Sequence, residues 1–100
     1  NSAYISQIIR SSASIGANYR VACRAKSPRD FIYKLHVVEE ETDETMYFLE
    51  LFAEFNDMFK TELLSIYKET EEVLKIIVAS IKTSQKKLAI QNIGNPKSKF

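Results

Sequence analysis

The sequence predicts an all-α fold, an up-down antiparallel bundle of long helices, and three observations predict it. Only two glycines and two prolines occur among 100 residues, too few turn residues for a β-sandwich. Apolar side chains recur at three- and four-residue steps over three long stretches, the period of a helix with one buried face. Between the first two stretches stands Ser27-Pro28-Arg29-Asp30, a strong helix start. A chain of this length is one domain with a modest core.

The first helix is expected over about residues 2–25, with Ile5, Ile8, Ser12, Ile15, Tyr19 and Ala22 on its apolar face. That face is small. Ser11, Ser12, Ala13, Ser14, Gly16 and Ala17 leave room for a neighbouring helix to approach the backbone. Gly16 costs about 1 kcal/mol of helix propensity relative to Ala, so a packing or binding reason is expected there. Ser14 and Asn18, one turn apart, are expected to hydrogen-bond across the helix interface and fix its register.

The second helix is expected over about residues 28–55. Ser27 suits the N-cap, Pro28 the first position, and Asp30 at the third can return the capping bond. Phe31, Leu35, Val38, Thr42, Met46, Leu49 and Phe52 hold the helical period. Its second half changes character: Met46, Tyr47, Phe48, Leu49, Leu51, Phe52 and Phe55 leave almost no polar face. Such a helix must be covered on several sides, and three helices of one chain fall short of that. Tyr47, Phe48, Leu51 and Phe55, with Glu44 and Glu50, are therefore the candidate oligomer interface.

Asn56-Asp57 supplies a turn and a cap. The third helix then runs over about residues 58–92, through Phe59, Leu63, Ile66, Thr70, Val73, Leu74, Ile77, Ile81 and Leu88, and spans about 45 Å or more. Glu71 and Lys75 form an i,i+4 pair on its outside. The helical domain covers residues 1–93, and residues 94–100, opening Gly94-Asn95-Pro96, form a flexible basic tail.

The net charge of +1 hides a partition. Residues 1–34 carry six bases and one acid, residues 35–57 eight acids and no Lys or Arg, and residues 58–100 eight lysines and four glutamates. This pattern favours basic segments packing on acidic ones, or subunit contacts. Arg10, Arg20 and Arg24 are the side chains whose destination decides function. Paired with Glu44, Glu50 or Glu54 they serve assembly; gathered on an open face they neutralise phosphates, the main source of sequence-independent nucleic-acid affinity. Arg20 and Arg24 share a face by i,i+4 spacing, and the five tyrosines, which could stack on bases, are more often core-edge residues.

Several functions are disfavoured. His36 is the only histidine and no Glu precedes it by three residues, so the acidic run from Glu39 to Glu44 lacks the ligands of a carboxylate di-metal bundle; no metal and no cofactor is expected. Cys23, among Val21, Ala22 and Ala25, reads as a buried, inert small hydrophobe. No phosphate-binding glycine loop, nucleophile elbow or zinc pattern occurs, so neither an enzyme nor a small-molecule substrate is expected. One cysteine forms no internal disulfide, which makes a reducing cytoplasm the default. No apolar run is long enough for a membrane span.

Three runs carry a resemblance: Ile9 through Arg20, Ser27 through Leu35, and Glu44 through Leu51. In order and spacing they resemble the small four-helix-bundle proteins encoded within intervening sequences of bacterial 23S ribosomal RNA genes, over about residues 4–88. The matching positions are Arg10, Ser14, Ile15, Asn18, Asp30, Phe31, Leu35, Glu44, Tyr47, Leu49 and Glu50. The resemblance implies a fourth helix preceding the first one here, and ring-forming homo-oligomers, commonly pentamers. It also implies kinship with the accessory variability protein of diversity-generating retroelements, a positively charged barrel that engages nucleic acid. Arg10 and Asn18 are the matching positions that suggest a binding surface. Tyr19-Arg20-Val21-Ala22-Cys23 departs from the pattern, replacing an acid with an apolar residue and making the first helix more basic. Two functions are expected from all this: a non-enzymatic homo-oligomer that binds RNA or DNA through the basic face of its first helix, with Arg10, Asn18, Arg20 and Arg24 as contacts, or a structural or protein-interaction module with no nucleic-acid partner.

Overall fold

The computed structural model describes residues 2–94. They form three long helices, α1 (Ser2–Ala22), α2 (Pro28–Phe55) and α3 (Lys60–Gly94), with a short 3-10 turn at Asp57–Phe59. No strand occurs among the described residues. The helices run up, down and up in a rod of 59 × 18 × 15 Å. α2 is the central element: α1 and α3 each pack along it and make no close backbone approach to one another.

α2 takes this place because its buried positions, Leu35, Val38, Thr42, Thr45, Met46, Leu49 and Ala53, follow three- and four-residue steps and draw one stripe down the helix. Toward one end of the rod Leu35 and Val38 pack with Ala22, Ile77 and Ile81, backed by Ile15 and Phe31. Toward the other, Leu49 and Ala53 pack with Leu63, backed by Ile8, Phe52 and Tyr67. Complete burial of a Leu or Val side chain contributes about 1.5–3 kcal/mol, so a handful of these residues carries most of the fold.

The buried threonines set the register. Thr45 Oγ1 lies 2.7 Å from Ser11 Oγ, and each hydroxyl also has a carbonyl one turn back, Glu41 O and Gln7 O, both at 2.9 Å. One proton thus bridges the helices while the other returns to the backbone, and no buried hydroxyl of this pair is orphaned. Thr42 donates to Val38 O at 2.7 Å. At the far end of the α1–α2 pair the rings of Tyr4 and Phe55 stack at 6.2 Å.

α1 is shorter, and the α1–α2 connection longer, than the spacing predicts. α1 ends at Ala22 because the backbone tightens into i→i+3 bonds, Arg24 N–H to Val21 O and Ala25 N–H to Ala22 O. Pro28 then holds Ser27 extended, at φ −158° and ψ 163°, as the residue before proline prefers. Ser27 Oγ accepts from Asp30 N–H at 3.1 Å as expected, but the Asp30 carboxylate accepts from Lys26 N–H at 3.1 Å, one residue before the N-cap. Asp30 also pairs with Lys34 at 2.9 Å. The Lys34 bond and then the Lys26 N–H hold the Asp30 carboxyl below the ordinary aspartate range.

Several local expectations are corrected. A Cβ on Gly16 would meet nothing within 4 Å, so no packing reason holds that glycine. Asn18 Nδ2 donates to Ser14 O and Ser14 Oγ, at 2.8 and 2.9 Å, within α1 instead of across the interface, because both lie at the edge of the contact. Cys23 is exposed, since the chain has already left the helix there. Ser11, not Ser12, faces α2. Asn56 caps backward, donating from Nδ2 to Phe52 O at 2.9 Å. Lys75 pairs with Glu72 at 3.5 Å instead of Glu71. Gly94 still belongs to α3; the rest of the expected flexible tail lies outside the described residues.

Gly16→Ala is expected to stabilise the fold by about 0.5–1 kcal/mol, and Ser27→Ala to destabilise it by about 1 kcal/mol. Urea unfolding followed by circular dichroism measures both, and a destabilising Gly16→Ala would show that the glycine face is covered.

Candidate nucleic-acid interface

The antiparallel register brings the α1–α2 connection beside the end of α3. Ala22, Lys26 and Phe31 line one cavity together with Ser84, Lys87 and Leu88. Charge follows from this placement. Residues 17–34 and 78–94 make up this end of the rod, and they hold eight bases (Arg20, Arg24, Lys26, Arg29, Lys34, Lys82, Lys86 and Lys87) against the single acid Asp30. Residues 35–76 hold the other twelve acids and three lysines. The sequence partition thus becomes a separation between the two ends of the rod, beyond the basic-on-acidic packing that segment charges alone suggested.

The three candidate arginines part company. Arg10 turns onto the acidic helix: one Nη2 bond joins it to Glu44, Nη1 lies 3.7 Å from Glu41, and Nε donates to Gln7 at 3.1 Å. Both side chains of the Glu44 pair keep a third or more of their surface in water, so it contributes at most about 1 kcal/mol. Arg20 and Arg24 are exposed, and no carboxylate among the described residues lies within ion-pair distance of either, or of Lys82, Lys86 or Lys87. Arg24 sits in the turn beyond α1, so helical spacing no longer relates it to Arg20. Asn18, half-buried, spends its amide hydrogens on Ser14.

Sequence reasoning missed Lys82, Lys86 and Lys87. Their signal was legible: the last 17 residues of α3, from Val78 to Gly94, contain no acid. What the sequence does not give is the register that sets them at the same end of the rod as Arg20 and Arg24.

The residues expected at an oligomer interface spread around α2. Glu44 holds Arg10 and is half-buried; Phe48 and Leu51 are half-buried; Tyr47 and Phe55 are exposed. Tyr47 and Phe48 meet edge to face at 5.4 Å. Glu50 accepts from the Tyr67 hydroxyl at 2.7 Å, tying α3 to α2. That bond, to an anion that disfavours the phenolate, pushes the Tyr67 pKa up to about 12. The outer faces remain apolar at Ile9, Phe55, Met58 and Ile76, each more than 60% exposed.

Among the described residues no three His, Cys, Asp or Glu side chains come together in a metal-binding group, and His36 meets only Glu39, at 3.1 Å. No helix of the described residues is long and apolar enough to cross a membrane.

Fold and surface together define a small all-helical protein with opposite charge at its two ends. The family model described as 23S rRNA-intervening sequence protein matches residues 1–79, and the chain belongs to that family. A crystal structure of a protein of unknown function from the S23 ribosomal protein family, from Bacteroides thetaiotaomicron, is similar, with 39% sequence identity and a TM-score of 0.75. The match covers 79% of this chain and 73% of that one. No curated protein matches the chain.

Because the folded protein holds the Tyr67 proton above the ordinary tyrosine range, the Tyr67–Glu50 bond contributes stability that is complete below about pH 10 and is lost as pH rises through about 12. Alkaline titration of phenolate absorbance is expected to show a late-ionising tyrosine that disappears in Tyr67→Phe and moves to lower pH in Glu50→Gln.

Proposed function

We propose that this protein is a non-enzymatic, homo-oligomeric helical-bundle protein of the cytoplasm that binds RNA or DNA through the basic end of the rod. The observation that carries the reading is the set Arg20, Arg24, Lys82, Lys86 and Lys87, exposed, gathered at one end and without carboxylate partners among the described residues. Cations held near one another and not neutralised internally are available to phosphates, and each contact releases condensed counterions. Arg10 is assigned to the fold: its carboxylates leave it less to offer a phosphate. Asn18 is likewise a helix-internal group in this reading.

Assembly belongs to the same reading. Among the described residues α2 is flanked by two helices, and Ile9, Phe55, Met58 and Ile76 lie open, apolar side chains that a further helix or subunit would cover. Membership of the family supports completion of a four-helix unit and a ring, a pentamer by resemblance. A second reading, a protein-interaction module without nucleic acid, is favoured by Arg10, whose charge is spent on Glu44 and Glu41.

The test is binding of a structured RNA and a DNA duplex at about 50 and about 200 mM salt. Affinity is expected to fall steeply with salt, to drop at least about tenfold in Arg20→Ala/Arg24→Ala, and to stay unchanged in Arg10→Ala. No binding at low salt by an assembled protein would leave the interaction module. In sedimentation the chain is expected to run as an oligomer, shifted toward monomer by Phe55→Glu; a monomeric wild type would remove the assembly part.

A further inference from the structure

The basic end holds a cleft as well as charges. It lies between the α1–α2 connection and the end of α3, has a volume of about 440 Å³, and falls in the range of small-ligand sites, about 300–1,000 Å³. Its lining is mostly apolar, with Phe31, Pro28 and Leu88, and its polar members include Ser84, Gln91 and Lys87. Phe31 is half-buried and braced against the core cluster of Leu35, Val38, Ile77 and Ile81, so its ring is a rigid wall. Gln91 is exposed and carries both donor and acceptor, the pair needed to read a base edge. Phosphate contacts alone would require no cleft; a flat basic surface serves a duplex equally well.

We infer that this cleft receives one unpaired nucleobase, and that the partner of the basic end is a single-stranded or looped nucleic acid instead of a continuous duplex. The inference rests on the nucleic-acid reading above. An unstacked base offers an apolar face to Phe31 and Leu88 and a polar edge to Gln91 and Ser84, while Lys26 and Lys87 in the cleft lining, and Arg20, Arg24, Lys82 and Lys86 elsewhere on the same end of the rod, meet the flanking phosphates. This is the division of labour by which proteins bind single strands: cations follow the backbone, aromatic and apolar walls hold the bases. A duplex keeps its bases paired and stacked, and has nothing to place in the cleft without first unstacking one.

The prediction opposes simple electrostatics, which makes it sharp. Duplex carries the denser charge, so a purely basic surface prefers it. A single strand of about 12 nucleotides, a length within known site sizes, is to be titrated into the full protein with 2-aminopurine in place of one base, beside the same sequence as duplex. The single strand is expected to bind about 5-fold tighter or more, with a change in 2-aminopurine emission. Ser84→Trp, which fills the cleft, is expected to erase that preference while leaving duplex affinity and its salt dependence intact. Gln91→Ala, an exposed position that does not strain the helix, is expected to weaken the preference in the same direction. Duplex bound as tightly as single strand, with the Arg20 and Arg24 dependence retained, would overturn the cleft assignment and leave the basic surface standing. An unchanged preference in both variants would overturn it too. Absence of binding to either probe would overturn this inference together with the reading it rests on.

Discussion

α2 has to bury a single stripe against two helices at once, and the way Leu35, Val38, Thr42, Thr45, Leu49 and Ala53 divide between α1 and α3 determines everything else about the molecule. With Thr45 held to Ser11 and Leu49 and Ala53 packed on Leu63, neither flanking helix can slide by a turn without exposing a leucine or orphaning a buried hydroxyl. A helix register is ordinarily a matter of stability. Here it also decides which charges become neighbours.

The charge separation is the consequence. Antiparallel packing in this register carries the acid-free end of α1 to the acid-free end of α3, and leaves twelve of the thirteen acids along the rest of the rod. Arg10, like Lys60, Lys68 and Lys75, falls in the acidic part, and its position opposite Glu41 and Glu44 pairs it there. Arg20, Arg24, Lys82, Lys86 and Lys87 at the other end, without carboxylate partners among the described residues, cost the fold some self-repulsion. The cleft at that end comes from the same geometry: the connection from Ala22 to Pro28 forms one wall and Ser84, Lys87, Leu88 and Gln91 of α3 the other.

Much of this was legible in the residues. The all-α class, three long helices and the Ser27–Pro28 start follow from helical spacing and cap chemistry, and the stripe of α2 reads directly from its three- and four-residue steps. What failed did so where spacing cannot choose between adjacent faces. Ser11 and Ser12, or Ile5 and Ile8, satisfy the same period, and only the partner helix selects Ser11 and Ile8. Cys23 looked buried because the helical period was carried past Ala22, whereas the constraint Pro28 places on Ser27, and the Asp30 bond to Lys26 N–H, shape a connection that ends the helix sooner. On the candidate surface, the arginines were visible but the lysines of α3 at the same end were not, since residues about sixty apart reach one end of the rod only through tertiary register.

The central claim is that the basic end of the rod is the surface that meets nucleic acid. Photo-crosslinking of the assembled protein to single-stranded RNA, with the attachment sites mapped by peptide mass spectrometry, tests it most directly. The account predicts attachments concentrated in residues 20–34 and 82–94. Attachments concentrated instead on residues 3–16 or 40–76, around Arg10 and the acidic helix, would contradict it.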